Sequence, residues 1–425
     1  DTDFHRMKVA GPDAEYGITF ADDETIVIEG KGNITLDERP AGYTDNGVYL
    51  EGKEGGFYIV SAYRNKTKYL LYAKKGRIQM EKNIHGDEYA QSSKGLKLQF
   101  HVSGEDGFLI VIREIPHNMR KIELKDYDFE ECAEKALKKF EDWYSAFDKP
   151  KPEIEDVYKL AVYYNWSQTV KASGHLTRDF IVCTNVLNGN WCADIVLNAT
   201  GIAKAHPKLA YDQIAVFLDQ QDETGCIPGS MNDEQMSWNI SKPPFAAVYL
   251  PYILRYYHAD QNEKEFLLER LGKLVNFYRE YRDTNEDGIC EYLHGNESDC
   301  DNSSCYEDFE AIDSPDLSAY LVLTMDFLSD LACQLGKNDA AVYWKKEADI
   351  LAEKAIKYFF VNGKLVCRFT NDGRVKESDS AMPLYFLLMG ERLPQDLRDT
   401  VVKYVKENFC GEYGVSTEGY NSAKF

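Results

Sequence analysis

The chain has no run of about 20 apolar residues, the length a helix needs to cross a bilayer, so a membrane protein is not expected. Positive charge is scarce: 49 Lys and Arg stand against 71 Asp and Glu, a formal net charge of −22. So acidic a surface repels phosphate backbones, which excludes nucleic acid as a partner and argues against a polyanionic substrate. The ten cysteines include no CxxC pair and no Cys/His cluster at zinc spacing, so no metal site is predicted. Most of them sit in apolar or helical stretches and read as reduced core residues. That favours the cytoplasm; the even number of cysteines and the absence of an initial Met keep a secreted protein as the alternative. There is no G-x-S-x-G elbow, no P-loop and no H-E-x-x-H, and the eight histidines do not pair at ligand spacing. No cofactor is predicted.

What is present is a globular balance, with 44% hydrophobic and 28% charged residues over 425 positions, enough for two or three domains. Up to about residue 126 the pattern alternates. Thr25-Ile-Val-Ile-Glu, Gly56-Phe-Tyr-Ile-Val, Lys68-Tyr-Leu-Leu-Tyr, Leu96-Lys-Leu-Gln-Phe and Phe108-Leu-Ile-Val-Ile read as strands separated by Gly, Asn and Asp. Short strands at regular spacing predict a β-sandwich. Residues 127–153 read as a helical linker that ends in Lys149-Pro-Lys-Pro.

From Ile154 the apolar period becomes about 3.6. Helices are expected at 154–172, 193–206, 208–221, 243–259, 262–283, 315–336, 338–360, 379–390 and 395–408, with Pro207, Pro315 and Pro394 near helix starts. Long loops at 221–242 and 283–315 alternate with short links at 204–207 and 258–262. Helical hairpins arranged in a ring, with the long loops on one rim, predict this rhythm. The expected fold is therefore mostly α: an (α/α)6 toroid over 154–425 behind the sandwich. Six hairpins need twelve helices, and these nine stretches predict a ring incomplete at its C-terminus, finished by a further segment or chain.

The densest polar stretch is His294-Gly-Asn-Glu-Ser-Asp-Cys-Asp-Asn-Ser-Ser304, which crowds Glu297, Asp299 and Asp301 together. Glycoside cleavage needs a protonated carboxyl at the leaving oxygen and a second carboxylate opposite it, and crowding raises the pKa of one member. A solvated acidic loop or a cation site has the same composition. Upstream, Asp283-Thr-Asn-Glu-Asp-Gly-Ile imitates the start of an EF-hand, but His294 stands where the bidentate Glu belongs. A helix-ending turn with Asp side chains on backbone amides fits equally.

Several of these segments together resemble the processing α-glucosidase family of glycoside hydrolases, family 63, and more distantly the trehalases. Asn190-Trp-Cys-Ala-Asp194 is similar to the family's Trp-x-Trp-Asp, and Gln220-Gln-Asp-Glu-Thr-Gly-Cys-Ile-Pro228 to its Gln-x-x-x-x-Gly-x-Ile-Pro turn. Ser241-Lys-Pro-Pro-Phe-Ala-Ala247 resembles its Pro-Pro helix start. Arg282-Asp-Thr-Asn-Glu-Asp-Gly288, followed by Glu297-Ser-Asp-Cys-Asp-Asn-Ser303 and Asp316-Leu317, resembles its Arg-Asp-x-x-x-x-Gly and Glu-Ser-Gly-x-Asp-Asn.

The resemblance implies an inverting, exo-acting α-glycosidase on a glucoside or related hexoside, with an oligosaccharide or small glycoside as substrate. Asp301 falls at the general acid, Asp194 at a carboxylate that grips sugar hydroxyls, and Trp191 in the pocket lining. Glu297 would brace the acid loop and Lys242 would stand near the pocket rim. The family's base Glu follows a Trp-Arg-Gly-Pro segment that this chain lacks, so the base is expected beyond Phe425; Glu412 and Glu418 are the late carboxylates in a long-loop position. Ala193 stands for the second Trp and Asp299 for a Gly. These departures motivate the alternatives, a non-catalytic carbohydrate-binding toroid or another toroid glycosidase such as a rhamnosidase.

Overall fold

The structure is a computed structural model describing residues 3–37, 48–52, 56–61, 67–83, 97–119, 121–183, 189–192, 194–238, 240–420 and 422. It divides into two compact units, up to Trp166 and from Ser167.

In the first unit, strands β1 (Arg6–Ala10), β2 (Ala14–Asp22), β3 (Thr25–Asp37), β4 (Val48–Glu51), β5 (Phe57–Ser61), β6 (Thr67–Lys75), β7 (Arg77–Asn83) and β8 (Lys97–Pro116) form one antiparallel sheet. Its order is β1-β2-β3-β8-β6-β5-β4, with β7 also on β8. Where a β-sandwich was expected, the described strands form a sheet region joined in one hydrogen-bonded ladder. The long strand β8 pairs with β7 over residues 97–103 and with β6 over residues 109–116, and its ladder with β3 is broken between Gly30 and Gly32. Such a break bends a strand and increases its twist. Tyr58 on β5 consequently meets Phe100 on β8, ring centroids 5.4 Å apart, although β6 lies between their strands.

Successive residues serve opposite faces, as the two-residue period requires. Ile28, Leu71 and Ile110 join one core, and Val27, Leu70, Tyr72 and Val111 join another with Phe129 and Cys132. These last two belong to α1 (Phe129–Ser145), whose first turn is capped by the Asp128 side chain. Residues 127–153, expected as a helical linker, include this helix, whose Phe129 and Cys132 pack into the second core of the sheet. Helix α2 (Glu155–Ser167) follows. Tyr163 and Trp166 pack their rings 5.5 and 5.4 Å from Phe140 of α1.

The second unit is helical: α3 (Asp194–Ile202), α4 (Pro207–Asp219), α5 (Ala246–Ile253), α6 (Gln261–Tyr281), α7 (Pro315–Gln334), α8 (Asn338–Phe359), a 3-10 helix Met382–Arg392 and α9 (Gln395–Asn408). The stretch expected as a helix over 379–390 is this 3-10 element, which Gly390 breaks at φ 56°. Two rows emerge from the packing. Helices α3, α5, α7 and the 3-10 helix contact one another in sequence, and α4, α6, α8 and α9 lie against them. Burial follows the rows. α7 is buried nearly all round, whereas α8 buries one stripe, Ala341, Trp344, Ala348, Ala352, Ala355 and Phe359. A stripe at three- and four-residue spacing marks a helix with one wet face. Pro207 and Pro315 open their helices, and an Asp260–Glu263 capping box opens α6. Among the described residues no helix is long and apolar enough to cross a membrane. The ten cysteines are free thiols, six of them buried.

Candidate active site

The loops between helices converge where the motifs predicted chemistry. Asp194 is the first residue of α3, three positions after Trp191 of the short strand Asn190–Trp191. The Trp191 strand pairs with Ser230–Met231, which pairs with Met236–Ser237. Trp191, Asn232, Gln235 and Met236 line a small groove there, with Ser230 and Met231 on its floor. Ala193, the departure in this motif, lies outside the described residues.

The Gln-x-x-x-x-Gly-x-Ile-Pro turn has a plain physical basis. The Asp222 carboxylate accepts the N–H groups of Thr224 and Cys226 at 3.0 and 2.9 Å. Gly225 sits at φ +96° with the Lys273 carbonyl 2.4 Å from where a Cβ would be, so only glycine fits. The Gln221 amide bridges the Gly225 and Arg270 carbonyls at 2.7 and 2.9 Å.

Lys242 is 3% exposed, and its ammonium bonds the Asn296 carbonyl and pairs with Asp299. This brings the Pro-Pro segment and the acidic loop together. Burial pushes the Asp299 carboxyl up to about 6, opposed by Lys242 and reinforced by the Asp194 and Asp301 charges. Burial also raises the Asp194 carboxyl, with Lys242 opposing and Asp301 reinforcing. Asp194, Asp299 and Asp301 therefore share one electrostatic environment around the Lys242 ammonium. The Cys192 thiol, buried beside them, is raised by burial first and by Asp299 next. Asp301 itself is exposed.

Asp299 has φ +59°, the left-handed region. Glycine adopts this conformation freely, and Asp is among the few side chains that tolerate it. Glu297 points the other way. It is 2% exposed, accepts Arg282 Nη2 at 2.7 Å and the Leu293 N–H at 2.8 Å, and so ties the loop to the end of α6. Of the five residues singled out from the sequence, Asp194, Lys242 and Asp301 share this environment, Glu297 stands behind the loop, and Trp191 lines the neighbouring groove.

Sequence reading gave no role to two buried carboxylates here. Asp316, at the N-terminus of α7, accepts the Tyr292 hydroxyl at 2.8 Å and the Ser314 hydroxyl, and burial pushes it up to about 6. Glu418 reaches the acidic loop at Ser304 from 114 residues further along the chain. The only sequence signal for Asp316 was Asp-Leu after Pro315, and Glu418 had none beyond its late position. Among the described residues no cluster of three His, Cys, Asp or Glu side chains is arranged to hold a metal. The EF-hand-like turn spends its carboxylates on backbone: Asp283 accepts the Gly288 N–H at 2.9 Å and Asp287 the Ile289 N–H at 2.8 Å.

Helical hairpins in two rows, with a carboxylate-rich loop among their connections, are features of the toroid-like glycoside hydrolases, and the comparisons with known proteins agree. The family model described as the mannosylglycerate hydrolase MGH1-like glycoside hydrolase domain matches residues 188–425. The chain belongs to that family, within glycoside hydrolase family 63. Among solved structures it is similar to the family 63 mannosylglycerate hydrolase of Thermus thermophilus in complex with glucose, at 15% identity and TM-score 0.52, covering 62% of this chain and 80% of that one. The same protein in complex with Tris and D-glycerate matches at 15% identity and TM-score 0.53, over 62% and 80%. A family 92 glycosyl hydrolase matches at 12% identity and TM-score 0.52, over 94% of this chain and 59% of that one. At these identities the structures speak for the fold. No protein of curated function matches the chain.

Proposed function

We propose that the protein is an inverting, exo-acting α-glycosidase that removes a neutral hexose from an α-glycoside, with Asp301 as general acid. The observation that carries this reading is the carboxylate group around Lys242. Asp301 is exposed at its edge, while its charge still acts on Asp194 and Asp299. In this reading Asp194 grips hydroxyls of the cleaved sugar and Trp191 offers a flat apolar face to a ring. Glu297 and Lys242 hold the two sides of the loop in place. The Thermus relatives are mannosylglycerate hydrolases, and one binds D-glycerate. Here the Lys242 ammonium is already engaged by Asp299, and a surplus of carboxylates repels an anionic aglycone. A neutral glucoside or mannoside suits the site better than a glyceric acid glycoside.

The test is an assay against aryl α-glucosides, aryl α-mannosides, α-linked disaccharides and α-mannosylglycerate, with product anomers followed by NMR. Release of the β-anomer from neutral substrates is expected. A retained anomer, or turnover confined to the anionic substrate, overturns the reading.

A further inference from the structure

We propose that Glu418 is a positioning residue that holds the acid loop from beneath, a role that rests on Asp301 being the proton donor. Glu418 is 6% exposed. Its Oε1 accepts the Ser304 N–H at 3.0 Å, and its Oε2 accepts the Ser304 hydroxyl at 2.8 Å and the Ser422 hydroxyl at 3.1 Å.

A carboxylate accepts hydrogen bonds and donates none, which fixes the direction of every hydroxyl beside it. Ser304 commits its single proton to Glu418. Ser378, 2.8 Å from the Ser304 oxygen, must therefore donate to Ser304. The Cys305 thiol, 3.2 Å from the Ser378 oxygen, donates in turn to Ser378. The chain Cys305 to Ser378 to Ser304 to Glu418 runs one way and ends on the carboxylate, and bonds polarised in one sense strengthen one another.

A second set of bonds locks the same segments. The Ser303 hydroxyl donates to Ser380 at 2.7 Å. Ser380 and Glu418 pair as an isolated antiparallel bridge, the Ala381 N–H reaches the Thr417 carbonyl at 2.8 Å, and the Gly419 N–H reaches the Asp379 carbonyl at 2.7 Å. The three residues that follow Asn302 are thus stitched to two distant stretches of chain, while Asp301 stands exposed just before them. Both oxygens of Glu418 are committed to these donors. The residue is therefore scaffold for the acid, and it is not the base that activates water.

The test compares Glu418→Ala, Glu418→Gln and Ser304→Ala on two substrates, an aryl α-glycoside with a poor leaving group and the matching glycosyl fluoride, which needs no protonation. A displaced acid costs up to about 100-fold in rate. Glu418→Ala should lose at least about tenfold in kcat on the aryl glycoside, keep KM within about twofold, and nearly spare the fluoride. Gln keeps an acceptor for the Ser304 N–H, and its amide lets the relay run in reverse, so Glu418→Gln should recover most of the loss. Ser304→Ala, which removes only the hydroxyl half, should lose less in the same direction, and it decides the matter if Glu418→Ala does not fold. Equal losses on both substrates, or none, would overturn the proposal. Amide exchange over Ser303–Tyr306 without substrate gives a second readout: faster in Glu418→Ala, near wild type in Glu418→Gln. If the wild type cleaves no α-glycoside, the glycosidase reading fails, while unchanged exchange in a folded Glu418→Ala would still refute the anchoring of this loop.

Discussion

Two acidic loops follow one another after α6, and their carboxylates meet opposite fates. In Asp283–Gly288 the two Asp side chains, and Asn285 between them, accept backbone N–H groups: Asp283 accepts Gly288 at 3.1 and 2.9 Å, Asn285 accepts Asp287 at 3.1 Å, and Asp287 accepts Ile289 at 2.8 Å. In Gly295–Ser304 the donors are few. Glu297 takes Arg282 and a backbone amide, but Asp299 is paired with the Lys242 ammonium and opposed by the Asp194 and Asp301 charges. Both loops are acidic and lie within one connection between helices. What separates them is the supply of donors and the degree of burial, so the first is a turn and the second is a strained electrostatic site of the kind that supports proton transfer.

The contrast is broken most sharply at Asp301. Asp301→Asn should lower turnover on substrates whose leaving group needs a proton by about 100- to 10,000-fold, the range for a missing general acid, and leave glycosyl fluorides much less affected. Asp283→Asn in the other loop should keep wild-type turnover on both. Steady-state kinetics on the two substrate types checks the pair, and equal behaviour of the two variants would abolish the distinction between the loops.

A stability measurement sharpens it next. Lys242 is buried, and about a quarter (26%) of the Asp299 side chain is in water. Removing one partner of a buried pair leaves the other uncompensated. Lys242→Met should therefore destabilise by roughly 2–3 kcal/mol, below the fully buried range because water reaches Asp299. Adding Asp299→Asn should recover more than half, since Asn also accepts the left-handed backbone. Urea unfolding of the two single variants and the double variant gives the coupling, and additive losses would mean that the pair does not hold the loop.

Much of this was legible in the sequence. The change of apolar period marked the passage from strands to helices, and the expected helices overlap those found because Pro207, Pro315 and the Asp260 cap punctuate them. Arg282, Lys242 and the 297–303 motif pointed to one place, and the structure brings them together. Three features were hidden for a physical reason. The two-residue alternation marks strands but does not say which strand pairs with which, so the order β1-β2-β3-β8-β6-β5-β4 could not be read from it. The apolar stripe of α1 says that it must cover something, not that Val27 and Tyr72 are what it covers. Glu418 stands 114 residues from Ser304, and no local pattern reports a contact made only when distant loops meet.

Protonation distinguishes the buried carboxylates further. Asp316 has its pKa raised from 3.8 to about 6 by burial, against the pull of the Ser314 and Tyr292 hydroxyls. Between those values the folded chain holds a proton that the unfolded chain has released. Stability from this group is therefore present below about pH 4 and declines as pH rises to about 6, by at most about 1.4 kcal/mol per pH unit. Asp316→Asn lacks this proton, so its stability relative to wild type should improve across that window and level off above it. Denaturation at pH 4, 5, 6 and 7 checks the sign, and a constant difference would mean that Asp316 does not titrate there.

The smallest effect belongs to the turn. Asp283 is half-buried, and its carboxylate meets a single amide, Gly288, which is itself exposed and has φ +77°. If the side chain is lost, water takes over that N–H, so no buried donor is stranded and the full desolvation penalty does not arise. The remaining loss is one modest hydrogen bond, about 0.5–1.5 kcal/mol, for Asp283→Ala. An EF-hand-like cation site would behave differently, because a bound ion adds stability in proportion to its concentration relative to its dissociation constant. Wild-type melting temperature should therefore be the same in millimolar calcium and in chelator, and the small deficit of Asp283→Ala should be identical in both. A calcium-dependent rise in the wild type that vanishes in the variant would turn this loop from a turn into an ion site, and the two acidic loops would no longer differ in the way argued above.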